Sequence, residues 1–284
     1  MFTWNCKGRL VEWEGPLVMG ILNVTPDSFY SGSRKNEEKE WIDTADRFRK
    51  QGAFIVDIGG QSTRPGADKL GVQEELKRVI PAIQAVHEAF PELLISIDTF
   101  YGEVARQAVN AGASIVNDVS AGAIDPDMIP AVASLKVPYV LMHMPGTPQD
   151  MQSKTTYTQI DLDLLDFFTQ KIKVLKEQGI HDIILDPGFG FGKTPEQNFS
   201  LIRYLPVFHS LGYPLLLGVS RKSTIYRTLG ITAEEALNGT TVLHTAGLLN
   251  GADILRVHDV REAVEAITLV SHLKEKPAGM AGRF

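Results

Sequence analysis

Short unbroken apolar runs alternate along this chain with longer segments in which apolar residues recur every three or four positions. Eight runs are strand candidates. They are LVMGILN (Leu17 to Asn23), FIVDIG (Phe54 to Gly59), LLISIDT (Leu93 to Thr99), SIVND (Ser114 to Asp118), PYVLMH (Pro138 to His143), IILDP (Ile183 to Pro187), LLLGVS (Leu215 to Ser220) and DILRVH (Asp253 to His258). A strand wetted on one face alternates apolar and polar residues, so continuous runs predict strands covered on both faces, as in a parallel sheet wrapped by helices. The intervening segments have the helical period. Trp41, Ile42, Ala45 and Phe48 form one stripe within Glu37 to Gln51, with Gly52 as the stop, and Leu162, Leu165, Phe168, Ile172 and Leu175 repeat it before Gly179. Pro81 predicts a kink or an early end in the helix after the second strand. Eight strand–helix units predict a (β/α)8 TIM barrel, with a doubly wound open sheet as the alternative. A short N-terminal hairpin turning at Lys7-Gly8 is expected within residues 1–15. No Ser- or Pro-rich linker divides the 284 residues, which predicts one domain over 1–284 with a flexible tail over 274–284.

Composition narrows the function. A net charge of −6 and no basic stripe argue against nucleic acid or an anionic membrane surface as the main partner, leaving a small-molecule ligand. The single cysteine, Cys6, forms no intramolecular disulfide, and MFTWNCKGRLVEWEG has neither the basic nor the long apolar region of a signal peptide, so a cytoplasmic location is expected. No apolar run approaches the ~20 residues that span a bilayer.

In such a barrel the active site forms at the C-terminal ends of the strands. Here every strand ends in a polar group: Asn23, Asp57, Asp98, Asn117 with Asp118, His143, Asp186, Ser220-Arg221-Lys222, and Arg256 with His258. A lone Asp after a strand is usually a turn or cap residue, but a converging ring of them points to chemistry. Carboxylates and carboxamides come from strands one to four and six, and cations from loops seven and eight, where barrels commonly hold phosphate. Arg grips phosphate with paired hydrogen bonds, and Lys and His add donors, so a diphosphate is a suitable guest. Asp98, Asn117 and Asp186 suit a flat, donor-rich ring. The bland reading, in which Arg256 and Lys222 only neutralise Asp98 or Asp186, stays open.

LDPGFGFGKT (Leu185 to Thr194) is not a Walker A loop, because Pro187 stands where its first glycine belongs. G-x-G-x-x-G fails too, with Lys193 in place of the third glycine. The stretch is instead expected to present Asp186 on a flexible glycine turn, with Phe191 approaching a ligand and Lys193 facing solvent. Loops one and two, NVTPDSFYSGSRKNEE and GGQSTRPGADKLG, are long enough to act as lids. Asn23 could offer its oxygen to Mg²⁺. His143 stands evenly between structural and catalytic roles. No His-Cys cluster has zinc spacing.

With these residues in hand, the chain resembles the dihydropteroate synthases of the pterin-binding barrel family. The resemblance rests on MGILNVTPDSF, DIGGQSTRPGA, SIDTF, VNDVS, LMHMPGTP, DPGFGFGKT, GVSRKS and LRVHDV, in that order, from Val18 to about Val260. It implies a transferase of folate synthesis, the target of sulfonamides, which condenses 6-hydroxymethyl-7,8-dihydropterin diphosphate with 4-aminobenzoate to give 7,8-dihydropteroate and diphosphate. By motif, Asp98, Asn117, Asp186, Lys222, Met142 and Gly218 look like the pterin site. Asn23, Thr63, Arg256 and His258 look like the diphosphate site, with Asn23 on Mg²⁺. Phe29, Thr63, Arg64, Pro65, Phe191 and Ser223 look like the aminobenzoate and loop residues. Asp57 is expected to support loop two and Arg256 from behind. The family also suggests a homodimer through the last helices. One departure is Ser31, which stands where the family commonly has a loop-one acid.

No general base flanks the expected nucleophile, and an aromatic amine needs none, so an SN1-like departure of diphosphate is expected. Lys222, Arg256, His258, Asp98 and Asp186 are the catalytic candidates. The rivals are a methyltetrahydrofolate methyltransferase, a pterin-binding paralogue without turnover, and a phosphosugar isomerase. The first has no evident use for the cation clamp, the second would be expected to have lost Asn23, Lys222 or Arg256, and the third needs a Glu or Lys base that is not identifiable.

Overall fold

The computed structural model of the protein describes residues 1–24, 34–61 and 69–274. Two short antiparallel strands come first, β1 (Phe2–Cys6) and β2 (Arg9–Trp13), paired from Phe2 with Trp13 to Cys6 with Arg9. Lys7 and Gly8 turn between them at φ 55° and 87°. Positive φ at both central residues is the turn whose twist matches a two-residue hairpin.

The remaining strands are β3 (Leu17–Asn23), β4 (Ile55–Gly59), β5 (Leu94–Asp98), β6 (Ile115–Asp118), β7 (Tyr139–Met142), β8 (Ile183–Asp186), β9 (Leu216–Leu217) and β10 (Ile254–Val257). They pair in parallel in the order β8-β7-β6-β5-β4-β3-β10-β9, and a parallel bridge from Leu185 to Leu215 joins the two ends. Leu185 N–H also donates to Pro214 O at 2.9 Å. The sheet is therefore a nearly closed eight-stranded barrel, and the open doubly wound alternative is excluded.

Outside it lie α1 (Arg34–Lys50), α2 (Val72–Ala89), α3 (Gly102–Ala111), α4 (Met128–Leu135), α5 (Ile160–Glu177), α6 (Pro195–His209), α7 (Ser223–Leu229), α8 (Leu237–Leu249) and α9 (Val260–Lys274). Two expectations change. The seventh unit carries two helices, and its strand is only two residues long, so Gly218 to Ser220 leave the ladder and form part of the mouth. Helix α2 runs through Pro81 without stopping. The missing N–H would have served the carbonyl of Lys77, which lies on the wet side of the helix, where water can replace it. Among the described residues no helix is long and apolar enough to cross a membrane.

Among the described residues two large hydrophobic regions divide the molecule, with a small third cluster of Phe100, Val119 and Met142 at the mouth. The larger lies between barrel and helices, and the smaller is inside the barrel at its N-terminal end. The inner one takes one residue from every barrel strand (Met19, Ile55, Leu94, Ile115, Val140, Ile184, Leu216 and Ile254) and seals them with Trp4, Cys6, Val11 and Trp13 of the hairpin. Side chains alternate across a strand, so residues two and four positions further along must face inward as well. Those residues are Ile21 and Asn23, Asp57 and Gly59, Ser96 and Asp98, Asn117, Met142, Asp186, Gly218, and Arg256 and His258. Strand parity alone thus carries the barrel from an apolar floor to a polar mouth.

Candidate active site

Arg256 is the hub of the mouth. Its Nε donates to Asp57 Oδ2 and its Nη2 to Asp98 Oδ2, both at 2.7 Å. Asn117 Nδ2 donates to the same Asp57 oxygen at 3.0 Å. Asp57 is fully buried, so a carboxylate there requires a charged partner, and Arg256 supplies it from β10, with β3 between the two strands. This is the support from behind expected of Asp57. The two carboxylates in turn keep the guanidinium charged and its fork fixed. Asp98 is pushed above the usual carboxylate range, first by burial, and the Arg256 cation opposes that shift.

Asp186 lies on the inward face beside Met142 in the β7–β8 register. Its Oδ1 accepts from Gly188 N–H at 2.7 Å, a turn made possible by Gly188 at φ 69°. Burial raises its pKa, while Lys222 and that hydrogen bond oppose the rise. Met142 is buried against Phe100 and Val119, with Phe191 packed alongside. A Cβ added at Gly218 would meet Lys222 Nζ at 3.6 Å and Arg256 Cβ at 3.9 Å, so a side chain there would occupy space between the two cations.

Lys222, half-buried immediately before α7, donates from Nζ to Phe189 O at 2.6 Å and sits 4.6 Å from the centre of the Phe191 ring. Its pKa is lowered to about 8, mainly by desolvation, with Asp186 opposing and Arg256 adding to the shift. His258 is exposed at the rim. Its Nδ1 lies 3.0 Å from Ser220 Oγ, which also accepts from the His258 backbone N–H at 3.2 Å. Asn23 is exposed at the end of β3 on the inward parity, and Ser223 opens α7 next to Lys222.

The structure thus brings together Asp98, Asn117, Asp186, Met142, Gly218, Phe191, Lys222, Ser223, Arg256, His258 and Asn23 at one end of the barrel. Phe29, Ser31, Thr63, Arg64 and Pro65 lie outside the described residues. Among the described residues no three His, Cys, Asp or Glu side chains form a metal cluster.

Several strand-end residues are structural. Arg221 is not among the mouth cations. It is held at φ 53°, and its guanidinium turns outward to Asp259 (2.8 and 2.9 Å) and to the carbonyls of Ala233 and Glu234. Asp118 has outward parity and accepts from Ser120, Gly122 and the Tyr139 hydroxyl. His143 is enclosed by Phe167 and Tyr157, and its pKa falls to about 3, first by desolvation and then through the Lys193 cation. Its Nδ1 and its carbonyl both face the buried Lys193 ammonium, so the ring is part of the packing between loops five and six. Lys193 itself corrects the sequence reading. It is 4% exposed, not solvent-facing, because Gly188, Gly190 and Gly192, all at positive φ, coil the loop around its side chain. Sequence reasoning also missed Asn198, whose amide accepts from Gly190 N–H and donates to Thr224, tying loop six to α7. Neither residue lies on a strand, so parity gave no signal for them.

A barrel sealed at one end, with carboxylates and a carboxamide facing cations across the other, defines a site for a small anionic ligand carrying ring donors. The Pterin binding enzyme family matches residues 19–258, and the chain belongs to that family. It is 45% identical to the dihydropteroate synthase of Synechocystis sp. over 92% of this chain and 91% of that protein. The dihydropteroate synthase of Xanthomonas albilineans solved with 4-aminobenzoic acid superposes with a TM-score of 0.89 at 41% identity, covering 97% of this chain and 99% of that one. The same enzyme in complex with 7,8-dihydropteroate gives a TM-score of 0.86 at 38% identity, over 97% and 100% of the two chains.

Proposed function

We infer that this chain is a transferase of folate biosynthesis that joins 6-hydroxymethyl-7,8-dihydropterin diphosphate to 4-aminobenzoate, releasing diphosphate and 7,8-dihydropteroate. One observation carries the reading: Asp98, Asn117 and Asp186 share the inward face with Lys222 and Arg256, so ring recognition and phosphate recognition meet across one cavity. The neutral aromatic amine needs no base to attack. Asp98 and Asp186 take the ring's N–H donors and favour its cationic state as the methylene–oxygen bond breaks. Arg256, Lys222 and the rim donor His258 stabilise the charge that develops on the departing diphosphate, the electrostatic form of catalysis. The result is an SN1-like order, with bond cleavage ahead of amine attack.

The donor set fits Mg²⁺. A hard ion that keeps most of its waters needs one protein oxygen and the substrate's phosphates, and Asn23 is exposed at the mouth to supply that oxygen. When bound, the ion would neutralise phosphate charge and assist its departure. Thr63 is assigned to the diphosphate, and Phe29, Thr63, Arg64, Pro65, Phe191 and Ser223 to the aminobenzoate side. A homodimer through the last helices is part of the same reading. Val242 and Leu249 of α8 and Leu269 and Leu273 of α9 are each at least half exposed and offer apolar surface for it, which light scattering would test.

The deciding experiment mixes the purified protein with the pterin diphosphate, Mg²⁺ and 4-aminobenzoate and follows diphosphate and dihydropteroate together. Both products are expected, and diphosphate released without the amine supports the SN1-like order. Pterin binding with neither product overturns the reading in favour of a binding protein or a methyl-transfer relative.

A further inference from the structure

The glycine-rich loop between β8 and α6 is built around a cation of its own. Lys193 Nζ lies 3.0 Å from Gly188 O, 3.0 Å from Phe191 O, 3.2 Å from His143 O and 3.1 Å from His143 Nδ1. Two barrel loops, five and six, thus converge their carbonyls on one buried ammonium. An ammonium only donates, so His143 Nδ1 accepts and the ring proton belongs on Nε2. Without Lys193, Gly188 O would keep only the Phe191 N–H at 3.0 Å, and Phe191 O and His143 O would lose the ammonium that draws them together, a cost the loop would relieve by changing shape.

That shape matters to Lys222. The carbonyl of Phe189 and the ring of Phe191, both inside the stretch that Lys193 pins, are the contacts that hold the Lys222 ammonium. Gly190 between them is so close that a methyl group there would meet Lys222 Cδ at 3.0 Å. Asn198 braces the same stretch from the outside through Gly190 N–H at 2.7 Å. Lys193 is buried, and its ammonium makes its hydrogen bonds inside loops five and six rather than in the open mouth.

We propose that Lys193 is a positioning residue for the reaction, an internal cation that sets loop six so that Phe189 and Phe191 aim Lys222 at the diphosphate. The proposal rests on the synthase reading given above. Burial lowers the Lys193 pKa to about 7, against the pull of Asp186, and the loop carbonyls and His143 Nδ1 take its N–H donors in place of water.

The test is a double-mutant cycle in the steady-state assay. Lys193→Met keeps the aliphatic stem and removes the donors. Misplacing a catalytic group by about 1 Å costs on the order of 100-fold, so kcat/KM for the pterin diphosphate should fall about 10- to 100-fold. In a Lys222→Met background the same change should cost less than about threefold, because the residue through which Lys193 acts is gone. Equal losses in both backgrounds, or no loss in either, overturn the proposal. If Lys193→Met does not yield folded protein, Asn198→Ala enters the same cycle. It frees the Gly190 amide and drops the bonds to Lys193 O and Thr224 while keeping the Lys193 ammonium, and it should show the same dependence on Lys222. Activity of the unaltered enzyme in this assay tests the synthase reading separately. An inactive parent sinks that reading, whereas an active parent with an additive cycle sinks only the role of Lys193.

Discussion

The two ends of the barrel interior are built on the same strands by the same alternation, yet they resolve burial in opposite ways. At the N-terminal end, Ile55, Ile115, Ile184 and Ile254 are shut under Trp4 and Trp13 of the hairpin, and burial there is the stabilising force itself. Two residues further along each of those strands stand Asp57, Asn117, Asp186 and Arg256, and burial there costs free energy that only hydrogen bonds and opposite charges offset. The floor can be rebuilt with any well-packed apolar set. The mouth can be rebuilt only around its ligand.

Removing the hub should show the largest contrast. Arg256→Ala strands Asp57 and Asp98 in a buried site, so we expect about 3–5 kcal/mol lost in urea unfolding, together with loss of turnover. Stability unchanged within about 1 kcal/mol would mean that the two carboxylates relax to water or to one another, and the mouth would not be under the strain argued here. Strand β8 then offers the cleanest pair. Ile184→Ala should cost about 2–5 kcal/mol of stability and leave kcat/KM of the folded enzyme within about threefold. Asp186→Asn, two residues on, should do the reverse: stability held or raised, because burial disfavours its charge, and kcat/KM down about 100-fold or more. Parallel effects of the two substitutions would erase the distinction between floor and mouth.

A smaller effect appears in pH dependence. Lys222 has a folded pKa lowered to about 8 from an unfolded value of 10.5, so kcat/KM should fall as pH rises through about 8 and the charge is lost. Stability should move the other way. Between those two pH values the unfolded chain binds more protons than the folded one, so Lys222 makes stability rise with pH there. Asp186 is the mirror case. Its raised folded pKa means that the folded state binds the extra proton above the unfolded pKa of 3.8, so its contribution to stability falls as pH rises through that window. Thermal melts of the parent and of Lys222→Met across pH 7 to 10 check the first sign. An unchanged slope would remove Lys222 as its source. The smallest expected effect is at loop one, where single-turnover kinetics of Ser31→Asp should show altered loop ordering as a modest rate change rather than a gain or loss of activity.

Much of this was legible before any coordinates. Unbroken apolar runs separated by helical period define a barrel because each run needs cover on both faces, and the polar residue closing each run marks the mouth. Asp98, Asn117, Asp186 and Arg256 were readable for that reason. Loop residues were not. Lys193 follows three glycines and looks solvent-facing in one dimension, yet it is buried because three positive-φ turns wrap carbonyls around it. Arg221 and Lys222 are adjacent and equally charged, and only the left-handed backbone at Arg221 sends one to Asp259 and the other to the site.

The sequence by itself determined the eight strand–helix units and the polar residues that end the strands, while barrel closure and the parity that faces inward came from the tertiary structure. The resemblance implied that Asp57 backs Arg256, and tertiary structure decided that Asp98 shares the same guanidinium while Lys222 does not. Asp57, Asp98 and Arg256 are separated by up to 199 positions and meet only because β10 returns to lie beside β3, where closure of the barrel places a guanidinium between two carboxylates. Pairing at that range depends on how a curved sheet closes, and no local pattern encodes it.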